Sequence, residues 1–138
     1  MNEELRNLML QAVEPEMHRK ILLRAVKLVA TGWTTRAGAR DEWGEPVEGT
    51  SPTAISWCLT GAIHRALFEL VGVDVYGARG GSIREAVNFW WVLMKPVHDE
   101  LKLLGFACQI AEWNDHWCES ANEAESVLLE AAAGVEPE

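Results

Sequence analysis

The sequence lacks several features that mark common protein classes. Its 138 residues include one tyrosine, three phenylalanines and three cysteines, and no two cysteines have the C-x₂-C spacing of a structural zinc site. Cys58, Cys108 and Cys118 also form an odd set in a chain long enough to fold without disulfides. The glycine-rich segment 72–81 lacks the Lys-Ser/Thr ending of a phosphate-binding loop. We therefore expect reduced thiols, no metal site and no cofactor.

Long apolar runs are also missing. No run approaches the roughly 18 residues that a membrane-spanning helix needs. The first ten residues, MNEELRNLML, carry Glu3 and Glu4 where a signal peptide carries positive charge. We therefore expect a cytoplasmic protein with no membrane contact.

Basic residues are missing from the last part of the chain. The chain has 12 Lys and Arg against 21 Asp and Glu, a net charge of −9, yet residues 106–138 hold eight of these acids and no Lys or Arg. This segment alone contributes −8. Because an acidic surface repels phosphate, we expect a basic protein partner and no direct contact with nucleic acid. The alternative is a solubilising surface with a frayed acidic tail at 135–138.

Apolar spacing predicts helices along most of the chain, which has the composition of one globular domain. The first predicted elements are a short helix or arm in 1–14 and an amphipathic helix over Glu16–Thr31 that Gly32 ends. A third helix is predicted from Ser51 to Val71. Two more follow: one that Ser82 and Glu85 open and Pro96 interrupts, and a last one that Asn122 and Glu125 open. Residues 32–50 contain four glycines and no periodic pattern, which predicts a long structured loop. We expect an all-α, compact single domain of five or six helices over residues 1–138.

The segment Trp57-Cys58-Leu59-Thr60-Gly61-Ala62 lies inside the third of these predicted helices. A helical glycine costs about 1 kcal/mol relative to alanine, so Gly61 indicates a place where another backbone or a ligand comes close. We favour the packing of another helix, because small residues on an apolar helix face usually serve that end. The alternative makes Cys58 a nucleophile, with His116 as its base and Asp115 to orient that base. We favour a non-catalytic protein, because a cysteine among apolar neighbours is usually inert.

Residues 113–118 form a predicted polar-aromatic turn. Asn114 and Asp115 have the short polar side chains that accept backbone N–H bonds and fix turns. A ligand contact by the same two residues is the alternative.

Seven tryptophans are a heavy load for this length. Indoles are favoured in cores, in stacking pockets and at interface hot spots. Adjacent Trp90 and Trp91 cannot share one helix face, so at least one should meet a loop or the surface. We expect Trp33 and Trp43 to anchor the 32–50 loop, and any exposed indoles to mark a binding surface.

These motifs together resemble an uncharacterised family of small bacterial and phage-associated domains. The resemblance spans about residues 18–132 and rests on short motifs in a fixed order. They are Gly32-Trp33, Arg40-Asp41-Glu42-Trp43-Gly44, Cys58 with Gly61 and Ala62, Trp113-Asn114-Asp115, and Glu125-Ser126-Val127-Leu128. No activity comes with it. It implies that Cys58, Gly61 and the Trp113-Asn114-Asp115 segment belong to one framework, a helix groove docked to a turn.

The favoured function is a non-catalytic, acidic protein-binding module, with a phage-derived inhibitor of a basic nucleic-acid-binding surface as its specific form. The alternative is a small-ligand pocket or weak cysteine hydrolase centred on Cys58 and the 113–116 segment. A third alternative is a homo-oligomer or a subunit of an assembly. The predicted binding residues are Trp33, Trp43, Glu112, Trp113, Asn114, Asp115, Glu119 and Glu123.

Overall fold

A computed structural model of the chain describes residues 3–74 and 83–135. Within these residues the chain forms six helices and three two-residue strands. In chain order they are α1 (Glu3–Ala12), α2 (Pro15–Thr31), β1 (Ala39–Arg40), β2 (Pro46–Val47), β3 (Ser56–Trp57), α3 (Leu59–Val71), α4 (Ile83–Leu103), α5 (Ile110–His116) and α6 (Ala121–Ala133). None of the described helices is both long enough and apolar enough to cross a membrane.

Helix α2 is the packing centre of the fold. Its apolar stripe includes Ile21, Leu22, Ala25 and Val29, all fully buried, and it packs along both α3 and α6. Pro15 occupies the first turn, where its missing N–H costs nothing. At the other end the amide of Gly32 donates to the Leu28 carbonyl. The helix predicted over Glu16–Thr31 is therefore confirmed.

One polar side chain of α2 lies in the core. His18 is 6% exposed, and its Nε2 lies 2.8 Å from the Leu93 carbonyl oxygen of α4. Burial lowers the pKa of His18, and the bond to Leu93 opposes this only in part. A neutral imidazole therefore donates to the carbonyl and ties α2 to α4.

The expectation of an all-α fold is wrong in one respect, because the mostly helical chain also contains a small antiparallel sheet. The strand order is β2-β1-β3, with Ala39 opposite both Val47 and Trp57. The predicted 32–50 loop thus contains two strands. Asp41 makes the hairpin between them, since its Oδ1 accepts from the amides of Trp43 and Glu45.

Helix α3 begins at Leu59, so the predicted start at Ser51 is wrong. The Ser51 hydroxyl is used locally, 2.9 Å from the hydroxyl of Thr53. Ser56 and Trp57 then pair with β1 instead of entering a helix. The local preference for a helix at Ser51 is overridden by strand pairing, because the backbone N–H and C=O groups at the edge of β1 need hydrogen-bond partners.

Glycines let the hairpin dock directly on α3. A Cβ added to Gly61 would fall on the carbonyl oxygen of Gly38, and a Cβ added to Gly49 would lie 2.6 Å from the carbonyl oxygen of Gly61. The close backbone approach predicted at Gly61 is confirmed, but the expected helix partner is wrong, because the hairpin segment that contains β1 and β2 lies there.

The second half of the chain keeps its predicted helices with shifted boundaries. Helix α4 runs through Pro96 to Leu103, while the Ser82 of its predicted capping box lies outside the described residues. Helix α6 is capped by Ser120 rather than Asn122, because Ser120 Oγ accepts from the Glu123 amide. The tail predicted to fray at 135 is still anchored there, where Arg19 donates to the Val135 carbonyl at 2.6 Å.

Candidate functional site

Asn114 is the most connected polar side chain of the predicted site. It is fully buried, and its Oδ1 accepts from Trp33 Nε1 at 2.9 Å and from the Leu59 amide at 3.2 Å. Its Nδ2 donates to the Thr34 carbonyl and to Asp115 Oδ1, both at 3.1 Å. All four hydrogen-bonding positions of the amide are thus filled by protein groups. Asn114 joins α5 to the end of α2 and the start of α3.

Asp115 extends the same framework to the loop before β1. Its Oδ1 accepts from the Arg36 amide at 2.8 Å. Arg36 has a φ of 63°, a left-handed conformation that is uncommon for a residue other than glycine. The Asp115 contact holds the backbone in that conformation.

Asn114 and Asp115 lie in α5 and not in a turn, so the turn predicted over 113–118 is wrong for these residues. The helix ends at Trp117, whose amide donates to the Trp113 carbonyl. Both side chains nevertheless fix backbone across the fold, which is the framework that the family resemblance implies. Asn114 bonds to the start of α3, next to Cys58, and also to Trp33, which was not part of the predicted framework.

Cys58 belongs to this framework as a helix cap. Its Sγ accepts from the Gly61 amide at 3.3 Å and lies 3.2 Å from the Thr60 hydroxyl. It therefore occupies the N-cap of α3 and not the middle of a helix. Its Sγ bonds to these two groups and to no histidine among the described residues, while His116 is exposed at the end of α5.

Two predicted binding residues lie away from this framework. Trp43 sits at the hairpin tip with 77% of its surface exposed, so it does not anchor the loop. Glu112 is exposed on α5, where its charge adds to burial in raising the pKa of Cys108.

Of the remaining predicted residues, Glu123 lines an aromatic pocket and Glu119 is its hydrogen-bonded neighbour. The pocket has a volume of about 250 Å³ and lies between the end of α4 and α5–α6. Its walls include Leu104, Phe106 and Trp117, with Glu123 at the same opening. Glu119 joins this group because its amide donates to Glu123 Oε2 at 2.7 Å. We call these five residues the Trp117 surface.

The apolar part of this surface is open to solvent. Trp117 is 56% exposed and Leu104 is 53% exposed. The rings of Phe106 and Trp117 lie 5.8 Å apart, and Phe106 also meets the buried Trp113 edge-on at 6.2 Å. The half-exposed indole is thus held by a packed aromatic neighbour.

The acidic part of this surface has no internal counter-charge. None of the ion pairs among the described residues involves a carboxylate from 106–135. The nearest basic residue along the chain is Lys102, at the end of α4. Burial raises the pKa of Cys118 to about 11, and the charges of Glu123 and Glu119 add to this effect.

Sequence reasoning missed Leu104, Phe106 and Trp117 as site residues. The sequence did contain a signal for them. Leu104 and Phe106 follow the end of α4, and Trp117 lies in the segment after it that has no Lys or Arg. No described group of three His, Cys, Asp or Glu side chains is arranged to hold a metal ion.

Comparisons with known proteins place the chain by family only. No curated protein and no solved structure matches it. One family model matches residues 14–134, nearly the whole chain, and it describes a family of unknown function, DUF6197. The match covers every motif on which the resemblance rests, and the chain belongs to this family of unknown function.

Proposed function

We propose that the protein is a non-catalytic binding module whose Trp117 surface takes a basic, amphipathic segment of a partner protein. One observation carries this proposal: a half-exposed indole lines an aromatic pocket of about 250 Å³ beside carboxylates without ion pairs. Such a pocket suits one apolar anchor of the partner. The carboxylates around it suit lysine or arginine on either side of the anchor.

The charge distribution supports this direction of binding. The first 105 residues are nearly neutral, whereas the segment that carries the pocket has only acidic residues. A partner with a basic surface would be attracted over long range and then held by the apolar anchor. We also propose the cytoplasm as the compartment, because the three cysteines are free.

A titration with a synthetic helical peptide of lysine and leucine tests the proposal. We expect this peptide to bind, and matched peptides with glutamate for lysine, or with serine for leucine, to bind at least about tenfold more weakly. Trp117→Ala should weaken binding by at least about tenfold, which is the usual cost of truncating an interface hot spot. Trp43→Ala removes another exposed indole outside the surface and should leave the affinity unchanged.

A second pair of variants separates local charge from net charge. Glu119→Gln with Glu123→Gln removes two charges at the pocket, and glutamine keeps the hydrogen bond to the Glu119 amide. Glu42→Gln with Glu45→Gln removes two charges on the hairpin. Only the first pair should weaken binding and flatten its dependence on salt. Equal effects of both pairs would show attraction to net charge alone and refute the proposed site.

A phage-derived inhibitor is the narrower form of this function that we propose. It adds that the basic surface of the partner is one that binds nucleic acid. Once a partner binds through Trp117, double-stranded DNA should compete with the protein for it. A partner that binds both at once would reject the inhibitor and keep the binding module.

A further inference from the structure

A second cleft lies on a different part of the fold, between the hairpin and α3. It has a volume of about 440 Å³, within the range of small-molecule pockets. Arg36, Gly38 and Glu48 line one side, and Thr60 and His64 of α3 line the other. Nothing in the Trp117 surface contributes to it.

An aromatic cleft lies next to this polar one. The second space, of about 230 Å³, shares Thr60 with the first and is lined by Trp90, Trp91 and His98 of α4. The ring of His64, in the first cleft, lies 4.6 Å from the ring of Trp90, in the second. The two spaces are therefore neighbours, with Thr60 lining both, and we call them together the elongated site.

The aromatic end is built to receive a flat ring. Trp91 is 55% exposed, and its ring lies 5.0 Å from that of His98. An indole held open to solvent by a neighbouring ring is the usual platform for stacking a planar heterocycle. Gln109 lines the same space and adds an amide that can pair with polar edges of such a ring.

The polar end has hydrogen-bonding groups of both signs and little net charge. Neither the Arg36 guanidinium nor the Glu48 carboxylate makes an ion pair or hydrogen bond with a described residue. Burial lowers the pKa of His64 to about 4, so its imidazole is neutral at physiological pH. The charge of Asp74 also reaches His64, so one cation stands beside two carboxylates at this end. Carboxylates repel a phosphate, so the site favours a neutral, hydroxyl-rich group.

The start of α3 gives no anion site that would change this conclusion. The Leu59 amide already donates to Asn114, and the Gly61 amide donates to Cys58. The helix end that would otherwise attract a phosphate is capped from inside the protein.

We propose that this elongated site binds an uncharged nucleoside, with the base at Trp91 and the ribose hydroxyls near Thr60, Arg36 and Glu48. Carboxylates are common partners of ribose hydroxyls in nucleotide-binding proteins. The proposal concerns a ligand class and residues separate from the basic partner of the Trp117 surface, so either can fail alone.

Titration of the full chain with adenosine, guanosine, cytidine and uridine, followed by ¹H–¹⁵N spectra, tests the proposal. At least one nucleoside should bind and shift the indole signal of Trp91. Trp91→Ala should weaken that binding about tenfold or more, the usual worth of a base stacked on an aromatic side chain. Trp117→Ala, which removes an indole of nearly equal exposure, is the matched control and should have no effect.

Variants at the polar end test the position of the ribose. Glu48→Gln should weaken binding of the nucleoside more than binding of the free base. Absence of signal changes with all four nucleosides at millimolar concentration would overturn the proposal. Tighter binding of inorganic phosphate, of the 5′-monophosphate or of a free amino acid would also overturn it, because each needs a different charge at the site.

Discussion

The two faces of α5 have opposite characters. On the inner face, Asn114 is fully buried and all four of its hydrogen-bonding positions are filled by protein groups. Where the helix ends at its outer side, Trp117 is 56% exposed, and carboxylates without ion pairs follow it. Helix α5 and the residue that follows it thus carry a fully paired polar side chain and a half-exposed indole.

This difference distinguishes residues that stabilise the fold, such as Asn114, from residues that are available to a partner, such as Trp117. A polar group that is fully paired inside the protein has nothing left to offer a ligand, and its loss exposes unpaired donors. An exposed indole contributes little to folding and much to an interface. The motif around Asn114 is therefore structural, and the residues proposed to bind the partner lie outside it.

The largest effect on stability should come from the glycine contact between α3 and the hairpin. Gly61→Ala places a methyl group on the Gly38 carbonyl oxygen, and backbone cannot move aside as a side chain can. We expect a loss of more than about 3 kcal/mol in unfolding free energy, or no folding at all. Gly38→Ala is the control, because the nearest atom to its added Cβ is 4.0 Å away. Urea unfolding of both variants measures this difference. Equal free energies of unfolding would contradict the close backbone contact at Gly61.

Removal of the Asn114 amide should have the next largest effect. Asn114→Leu keeps the volume but leaves Trp33 Nε1 and the Leu59 amide without their acceptor. Each buried donor without a partner costs about 1–3 kcal/mol, so we expect a loss of about 3 kcal/mol in thermal or urea unfolding. Asp115→Asn keeps an acceptor for the Arg36 amide and should change stability by less than about 1 kcal/mol. A stable Asn114→Leu protein would contradict the structural role of the motif.

Low pH should destabilise the protein through His64, which is buried in the interior. Burial lowers the pKa of His64 to about 4, and Asp74 opposes this only in part. His64 is therefore protonated near pH 6.5 in the unfolded chain but only near pH 4 in the folded chain. The free energy of unfolding thus falls as the pH drops from 6.5 towards 4. The loss from His64 should be about 2 kcal/mol at pH 4.5. His64→Gln should flatten the curve of unfolding free energy against pH in this window, and an unchanged slope would count against the burial of a neutral His64.

The cap of α3 should have a smaller effect. Cys58→Ala removes the acceptor of the Gly61 amide and should cost about 1 kcal/mol. Cys58→Ser restores a preferred cap and should match or exceed the stability of the natural chain in thermal unfolding. If both variants lost nucleoside binding while they kept their stability, Cys58 would have a role beyond capping.

The smallest effect on stability should come from the outer face. Removal of the charges of Glu119 and Glu123 by glutamine should change the unfolding free energy by less than about 0.5 kcal/mol, since no ion pair is lost. The same variant should weaken the lysine–leucine peptide. A large loss of stability would show that these carboxylates serve the fold and would erase the contrast between the two faces.

Local signals predicted most of the helices but not the contacts that place them. The apolar period of residues 16–31 and the cap at Gly32 predicted α2 correctly, because both are local. Ser51 followed by Pro52 has the same local signature of a helix start, yet Ser56 and Trp57 pair with a strand 17 residues earlier in the chain. That pairing depends on the hairpin at Asp41, which helical periodicity cannot reveal.

The site was predicted in part for the same reason. Cys58, Gly61 and the 113–115 segment were grouped as one framework from the order of their motifs, and Asn114 does bond to the start of α3. The bond from Trp33 to Asn114 was not predicted. That Asn114 would be saturated and Trp117 left open depends on which way α5 faces the end of α2. Seven residues are too few for a period that would fix this orientation.

The indole region of a ¹H–¹⁵N spectrum, recorded during titration with the lysine–leucine peptide, tests the contrast between the two faces most directly. We expect the Trp117 signal to move with the peptide while the signal of Trp33, bonded to Asn114, stays in place. A shift at Trp33 as large as that at Trp117, or no shift at Trp117 while the peptide binds, would contradict this expectation.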